Sequence, residues 1–440
     1  MTVLAACAPE SAAEPGADPV VIEYSESSGE LTLSRSPTEV ARRPPQSTSL
    51  RFDAIPRAIQ DSLPHVSDVA SLASGELLIL DRSAHRVAVA TPAADSIIRY
   101  IGRAGDGPGE FSSPVAVAAF DDRFVVLDLH PNKTFTEFLA DGQVVETFPA
   151  PPGDLFGAVW RTPDVGLERP YQHGPEDWTR RLAMGPDGVR YVQEDDERPY
   201  LAETTTVPPR VSLLSFAPGS RAADTVWSGR VERLELDETP VFGANGRRVQ
   251  TIRARRLQGI LLDRPLVAAG GGWSAMRLPG DDAVQVRWPS GDSLRVVWPT
   301  RAMATTQLMQ SENARLYAKS NDRRRRGGDS GQEPNAARVE SIASQNGIWF
   351  PDTLPSVSAL FASGPCLWMV GADPRAHIDG TGHVLLGVNV DEPNRQPTVL
   401  RIEEPEARIR HVAPGHVVVT TRNRFNEVIV SVAEMPSPAC

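Results

Sequence analysis

Histidines, thiols and carboxylates are the first places to look for chemistry. The eight histidines are His65, His85, His130, His173, His377, His383, His411 and His416. A ring of metal ligands in a repeating fold would place an imidazole at one position of each repeat, and these do not recur that way. His85 and His130 each follow a short apolar run and read as turn residues. Glu194-Asp-Asp-Glu197 concentrates carboxylates that could bind Ca²⁺ through oxygen, but it reads first as a solvated acidic loop. Asp106 reads as a turn residue in a Gly-rich stretch. The chain has no Gly-x-Ser-x-Gly elbow, no Cys/His spacing of a zinc site, and no Ser/His/Asp set that spacing alone assembles. The expectation is no catalytic residue, no metal site and no cofactor.

Three cysteines are present, Cys7, Cys366 and Cys440. Cys366 lies in an apolar run and reads as a buried free thiol, with pairing to Cys440 left open because spacing cannot decide it. Trp273, Trp288, Trp298, Trp349 and Trp368 fall mostly in strand-like runs and are expected to pack between sheets.

The elements that position these residues are short and repeated. A Gly or Asp followed by about five apolar or alternating residues opens at Gly75-Glu-Leu-Leu-Ile-Leu-Asp81 and at Asp122-Arg-Phe-Val-Val-Leu-Asp128. The unit returns at Gly188–Glu194, Gly271–Arg277, Gly364–Val370 and Gly415–Thr421, giving six candidate inner strands. Another apolar strand precedes most of them, as at Val66–Leu72, Val115–Phe120, Val357–Phe361 and Ile409–Val412. Two more strands follow where Thr134–Leu139 turns through Asp141-Gly142 into Gln143–Phe148. The same occurs where Ala283–Trp288 turns through Ser290-Gly-Asp292 into Ser293–Trp298. Four antiparallel strands repeated six times describe an all-β, six-bladed β-propeller. Unequal spacing requires insertions in the middle blades, at 155–178, 232–258 and 301–355. The last has a short helix expected over Met303–Ser320 and a solvated loop at the arginine run Asn321–Asp329. The final blade lacks a fourth strand, and Ser49–Ile55 has the composition to supply it and so close the ring. The domain reading is 1–45 as signal remnant and flexible linker, and 46–440 as propeller with 301–355 inserted.

One stretch carries a family likeness. Ile101-Gly-Arg-Ala-Gly-Asp-Gly-Pro-Gly-Glu-Phe111, then Pro114 and Val115-Ala-Val-Ala118, resembles the NHL-repeat signature. In that signature a Gly-rich turn, Gly-Glu-Phe and a proline lead into the next blade. Phe124–Asp128, Pro131-Asn132, Phe135–Phe138 and Asp141-Gly142 continue the likeness, and Leu80–Val87 echoes it one blade earlier. The resemblance covers roughly residues 65–150 and implies a divergent six-bladed propeller lipoprotein related to that family. Gly105, Gly107 and Gly109 are expected to permit a tight crossover, with Phe111 packing between blades. With no helix following, the stretch is not a phosphate-binding loop.

Leu4-Ala-Ala-Cys7 resembles a bacterial lipobox, with Cys7 the lipidated residue and 8–19 a polar tether. Only six residues precede Cys7, without a basic or extended apolar segment, so a start further upstream is expected. A net charge of −11 disfavours nucleic acid as a partner. The composite expectation is an exported, lipid-anchored, non-enzymatic propeller of a bacterial cell envelope, on its periplasmic or outer-membrane face. It would bind a protein or polymer on one propeller face and meet the membrane only through its anchor. The alternative is a metal-dependent lyase or lactonase-like hydrolase acting in the channel.

Overall fold

The structure, a computed structural model, describes residues 21–25, 30–34, 47–129, 134–150, 182–185, 188–195, 210–217, 220, 222–230, 236–242, 248–255, 265–270, 272–278, 280–281, 283–297, 303–304, 353–354, 357–371, 383–393, 395, 397–403, 407–422, 428–436 and 440. Five sheets are built in chain order from four antiparallel strands each. Blade 1 is Val66–Ser71, Leu77–Asp81, Arg86–Ala90 and Ile97–Ile101. Blade 2 is Pro114–Phe120, Arg123–Asp128, Thr134–Leu139 and Val144–Pro149. Blade 3 is Leu182–Gly185, Gly188–Asp195, Arg210–Phe216 and Asp224–Arg230. Blade 4 is Leu266–Gly270, Trp273–Arg277, Ala283–Arg287 and Ser293–Val297. Blade 5 is Val357–Ser363, Cys366–Gly371, His383–Asn389 and Thr398–Ile402.

Blade 6 joins the two ends of the chain. Arg408–Ala413, His416–Arg422 and Val428–Glu434 supply three strands, and Asp53–Ala54 supplies the fourth. The closing strand lies within the stretch expected for it. That stretch divides, however: Ser47–Ser49 runs parallel to Thr398–Ile402 on the outer edge of blade 5 before the chain reaches blade 6. The first strands of blades 1 to 6 touch one another in turn, and the sixth touches the first, so the ring is a closed six-bladed propeller.

The expectations for the repeated strand and for Cys366 change. The six strands opened by Gly or Asp are the second strands of their blades, one place out from the axis. A second strand has hydrogen-bonded neighbours on both sides and blades on both faces, so its sequence is the most continuously apolar. Leu77–Asp81 and Trp273–Arg277 are buried at every residue. The innermost strands are the preceding ones, which border the channel on one edge and carry smaller side chains. Cys366 is not a free thiol either: it forms a disulfide with Cys440, the Cα atoms 6.0 Å apart. The pairing crosses 74 residues of sequence, and only folding brings the two ends together.

The segment read as a linker contains Val21–Ser25 and Glu30–Ser34, which pair as an antiparallel hairpin; its second strand, Glu30–Ser34, runs parallel to Arg295–Val297 on the outer edge of blade 4. Their alternation, Val-Ile-Glu-Tyr-Ser and Glu-Leu-Thr-Leu-Ser, suits an edge strand. Within 232–258, Leu236–Phe242 and Arg248–Arg255 form a hairpin. Within 301–355, Met303–Ala304 pairs with Thr353–Leu354, so the expected helix begins as strand. The rest of Met303–Ser320, the arginine run and 155–178 lie outside the described residues.

The core lies between blades rather than at one centre. Phe111 is fully buried between blades 1 and 2 with Leu78, Leu80, Phe124, Val126 and Phe138. Trp273 and Trp368 are fully buried in the interfaces of blades 4, 5 and 6, as expected for inter-blade packing.

Candidate functional site

Strands of a blade alternate in direction, so the chain visits the two faces of the ring in turn. One face carries the first-to-second and third-to-fourth connections, all short. Residues 121–122, 271–272, 364–365 and 414–415 make four of them, and the longest is 390–397. The opposite face carries the second-to-third and blade-to-blade connections. From strand ends on that face depart the connections 150–181, 231–265 and 298–356 between blades, and 196–209 and 372–382 within blades. The long connections thus all leave the ring from strand ends on one face, the loop face, and those of the turn face are short. Loops held on a rigid scaffold are where proteins place recognition.

The channel is the second candidate. A cavity of about 390 Å³ sits on the axis and reaches the turn face, walled by first strands of all six blades. Its wall is mostly small and apolar, with Ala70, Ala118, Ala183, Ala268 and Ala362 among its residues. Polar groups enter at few points. His411 Nε2 and Ser71 Oγ hydrogen-bond at 2.8 Å across the seam between blades 6 and 1. Beside them, buried Arg410 donates through Nε to Thr420 Oγ1 at 2.8 Å and through its terminal nitrogen to the Ser67 carbonyl at 3.1 Å. Asp68 is buried in the wall and accepts the N–H of Val69 at 3.0 Å and of Val117 at 2.9 Å, tying the first strands of blades 1 and 2. These groups hold blades in register around the axis.

The Gly-rich crossover sits on the loop face. Gly105 and Gly109 take positive φ, whereas Gly107 does not. Gly107 serves by closeness instead: its N–H donates to Glu110 Oε2 at 3.0 Å, and Arg103 pairs with the same carboxylate at 2.7 Å. That backbone bond first, and Arg103 second, hold the Glu110 carboxyl below its ordinary value. The carboxylate of Asp128 accepts the N–H groups of Ser112 and Ser113 at 2.6 and 2.7 Å, anchoring the crossover to blade 2. Arg82 donates to Ser113 Oγ at 3.2 Å; burial lowers its pKa, and neighbouring Asp128 opposes that shift. Asp106 accepts the Ser112 hydroxyl at 2.5 Å, as a turn residue would.

His85 adopts a positive φ of 53° in the turn after the second strand of blade 1, and its Nδ1 meets the Phe111 carbonyl at 3.0 Å. It is a turn residue that also holds the crossover. His383 is buried on the third strand of blade 5, and His416 opens the second strand of blade 6. His65 precedes blade 1, where its carbonyl accepts the Arg82 N–H at 3.0 Å. Glu194 and Asp195 end the second strand of blade 3. Cys7, His130, His173, His377, Asp196 and Glu197 lie outside the described residues. Among the described residues, no three His, Cys, Asp or Glu side chains gather as a metal site. Asp68 and Ser71 in the channel wall, and Arg410 buried beside it, carried no motif in the sequence; each acts on a strand remote in the chain.

No protein-family model matches the chain, and no curated protein matches it. Solved structures are similar at a distance. A putative exported protein from Bacteroides fragilis is 10% identical over 88% of this chain and 95% of its own, with a TM-score of 0.40. The PQQ-bound aldose sugar dehydrogenase from Streptomyces coelicolor is 12% identical over 88% of this chain and 99% of its own, with a TM-score of 0.36. The virginiamycin B lyase from Staphylococcus aureus is 9% identical over 88% and 99%, with a TM-score of 0.34. These likenesses carry no argument about activity or ligand. What the chain's own strand order establishes is a six-bladed β-propeller with one elaborated face.

Proposed function

We propose that this chain is a non-enzymatic binding or scaffolding propeller of a bacterial cell envelope, exported and held to lipid through Cys7, which presents its loop face to a protein or extended polymer. The observation that carries the reading is that the long connections all depart from strand ends on one face of the ring. The propeller supplies a rigid base and the loop face the variable surface, a division of labour common to recognition scaffolds. The NHL-like crossover, seated on that face with its carboxylates bonded to backbone, supports kinship with NHL-related propeller lipoproteins.

Two further observations bear on location. The disulfide favours an oxidising compartment, where such pairs persist. The Leu4–Cys7 motif supports lipidation there. Among the described residues the channel wall offers a metal one imidazole, His411, already bonded to Ser71, and two carboxylates, Asp68 and Asp121, not gathered into a ligand set.

The test uses the native host. Cells fed labelled palmitate should yield a labelled, membrane-bound protein, and Cys7→Ser should release it unlabelled. Purified protein should hold no stoichiometric metal and turn over no lactone or lyase substrate. Metal-dependent turnover would overturn the binding reading, and an unlabelled wild-type protein would overturn the anchor.

A further inference from the structure

The closing blade is weakly made as a sheet. Its fourth strand is two residues long and pairs with the third at two positions, Ala54 with Ser431 and Asp53 with Val432, with one more backbone bond from the Ile55 N–H to the Val430 carbonyl at 3.1 Å. A strand that short contributes little on its own, and the ends of a chain are where a fold frays. Yet both termini are drawn to the same place. Leu50 and Phe52 from the N-terminal side, and Met435 and Cys440 from the C-terminal side, enter the apolar cluster between blades 5 and 6. That cluster also contains Cys366, Trp368, Ile409 and Val417. After its last strand the chain turns back to blade 5. The Met435 N–H donates to the Gly415 carbonyl at 2.8 Å, and the Cys440 N–H donates to Thr398 Oγ1 at 2.6 Å. The disulfide joins it there to the second strand of blade 5, both cysteines buried.

We infer that the Cys366–Cys440 disulfide is the covalent latch of the ring, forming after blades 5 and 6 dock and holding the short closing strand in place, so that closure of this propeller depends on oxidation. The chemistry is a two-electron exchange. Two thiols lose two protons and two electrons to a disulfide oxidant, such as oxidised glutathione, which leaves as two reduced thiols; a dithiol reverses the step. Because both cysteines are buried among blade 5 and blade 6 side chains, a reductant reaches them only when the junction opens. The latch thus reports closure as well as securing it. The inference concerns the folded chain in a defined redox buffer and stands apart from the envelope reading.

Hydrogen exchange of the full chain, read by mass spectrometry in glutathione buffer, tests it, comparing the oxidised protein with Cys440→Ser and with Cys366→Ser. Peptides covering 47–55, 408–422 and 428–436 should exchange at least ten-fold faster in both variants, while those covering blades 1 and 2 change less than two-fold. Acceleration confined to 435–440 would overturn the latch, and so would an equal acceleration of every blade. Alkylation under denaturing conditions provides the second readout. Oxidised protein should leave Cys366 and Cys440 unmodified, and alkylation of both would overturn the pairing itself. A variant too unstable to purify is replaced by the wild-type chain in reduced dithiothreitol, where the same pattern of exchange is required.

Discussion

Replacing Phe111 with alanine tests the account of how blades are joined. The ring is fully buried between blades 1 and 2; its centroid lies 5.8 Å from Phe138, which stacks on Phe124 at 4.9 Å. Removing a phenyl ring from such a site forfeits its transfer energy and leaves a cavity, costing about 3–5 kcal/mol. That is a large share of the roughly 5–15 kcal/mol that holds a typical domain together. Gly102 supplies the internal check. It sits at φ +84°, and a Cβ there would overlap the Phe111 ring. Gly102→Ala should cost about 1 kcal/mol for the left-handed backbone and about 1–3 kcal/mol more for the overlap. With Phe111 already alanine, the overlap disappears and only the backbone cost remains. Urea titrations of wild type, both single variants and the double variant, followed by circular dichroism, should therefore show the double variant more stable than the sum of the singles by about 1–3 kcal/mol. A Phe111→Ala cost below about 1 kcal/mol, or costs that add to within about 0.5 kcal/mol, would refute the reasoning.

Three further outcomes are expected. Asp128→Ala leaves the Ser112 and Ser113 N–H groups without their carboxylate and should cost about 2–3 kcal/mol in the same titration. Gln60 clamps blade 6 at both ends of its amide, donating to the Val428 carbonyl at 2.6 Å and accepting the Val430 N–H at 2.9 Å. Gln60→Ala should cost about 1–2 kcal/mol and speed exchange at Val430 without disturbing blade 2. Glu110 is held below its ordinary value of 4.5, chiefly by the Gly107 N–H. A carboxyl depressed in the folded state contributes stability that is present above its unfolded pKa and lost as pH falls through the folded one. Thermal midpoints across the acid range should therefore fall less steeply below about pH 4.5 in Glu110→Gln than in wild type. Parallel curves would show that the carboxylate makes no difference to folding.

The fold was legible where local physics fixed it. Second strands such as Leu77–Asp81 must be apolar on both faces, so they stand out as runs. Turns such as Asp141-Gly142 mark hairpins because glycine tolerates the backbone they need. The crossover at Ile101–Phe111 was legible because its glycines and Phe111 sit within one short segment. The rest depends on partners far apart in sequence. Nothing in Ser47–Ser49 separates a strand on blade 5 from the Asp53–Ala54 strand on blade 6. The linker composition around 21–34 concealed a hairpin whose second strand finds its partner near residue 296. Cys366 reads as one more buried apolar residue until Cys440 is brought beside it. Arg410 and Asp68 have the same character, with Arg410 reaching a carbonyl 343 residues away. The asymmetry of the two faces was also out of reach, because it requires knowing on which side each connection leaves the ring.

Site-specific photo-crosslinking in the native envelope tests the central claim most directly. A photoreactive amino acid is placed, one position at a time, on the loop face at Ser83, Asp106, Asp281 and Glu403, and on the turn face at Ser74, Asp141, Ser290 and Pro414. The account requires one discrete crosslinked partner from loop-face positions and none from turn-face positions. Equal capture from both faces, or capture from the turn face alone, would contradict it.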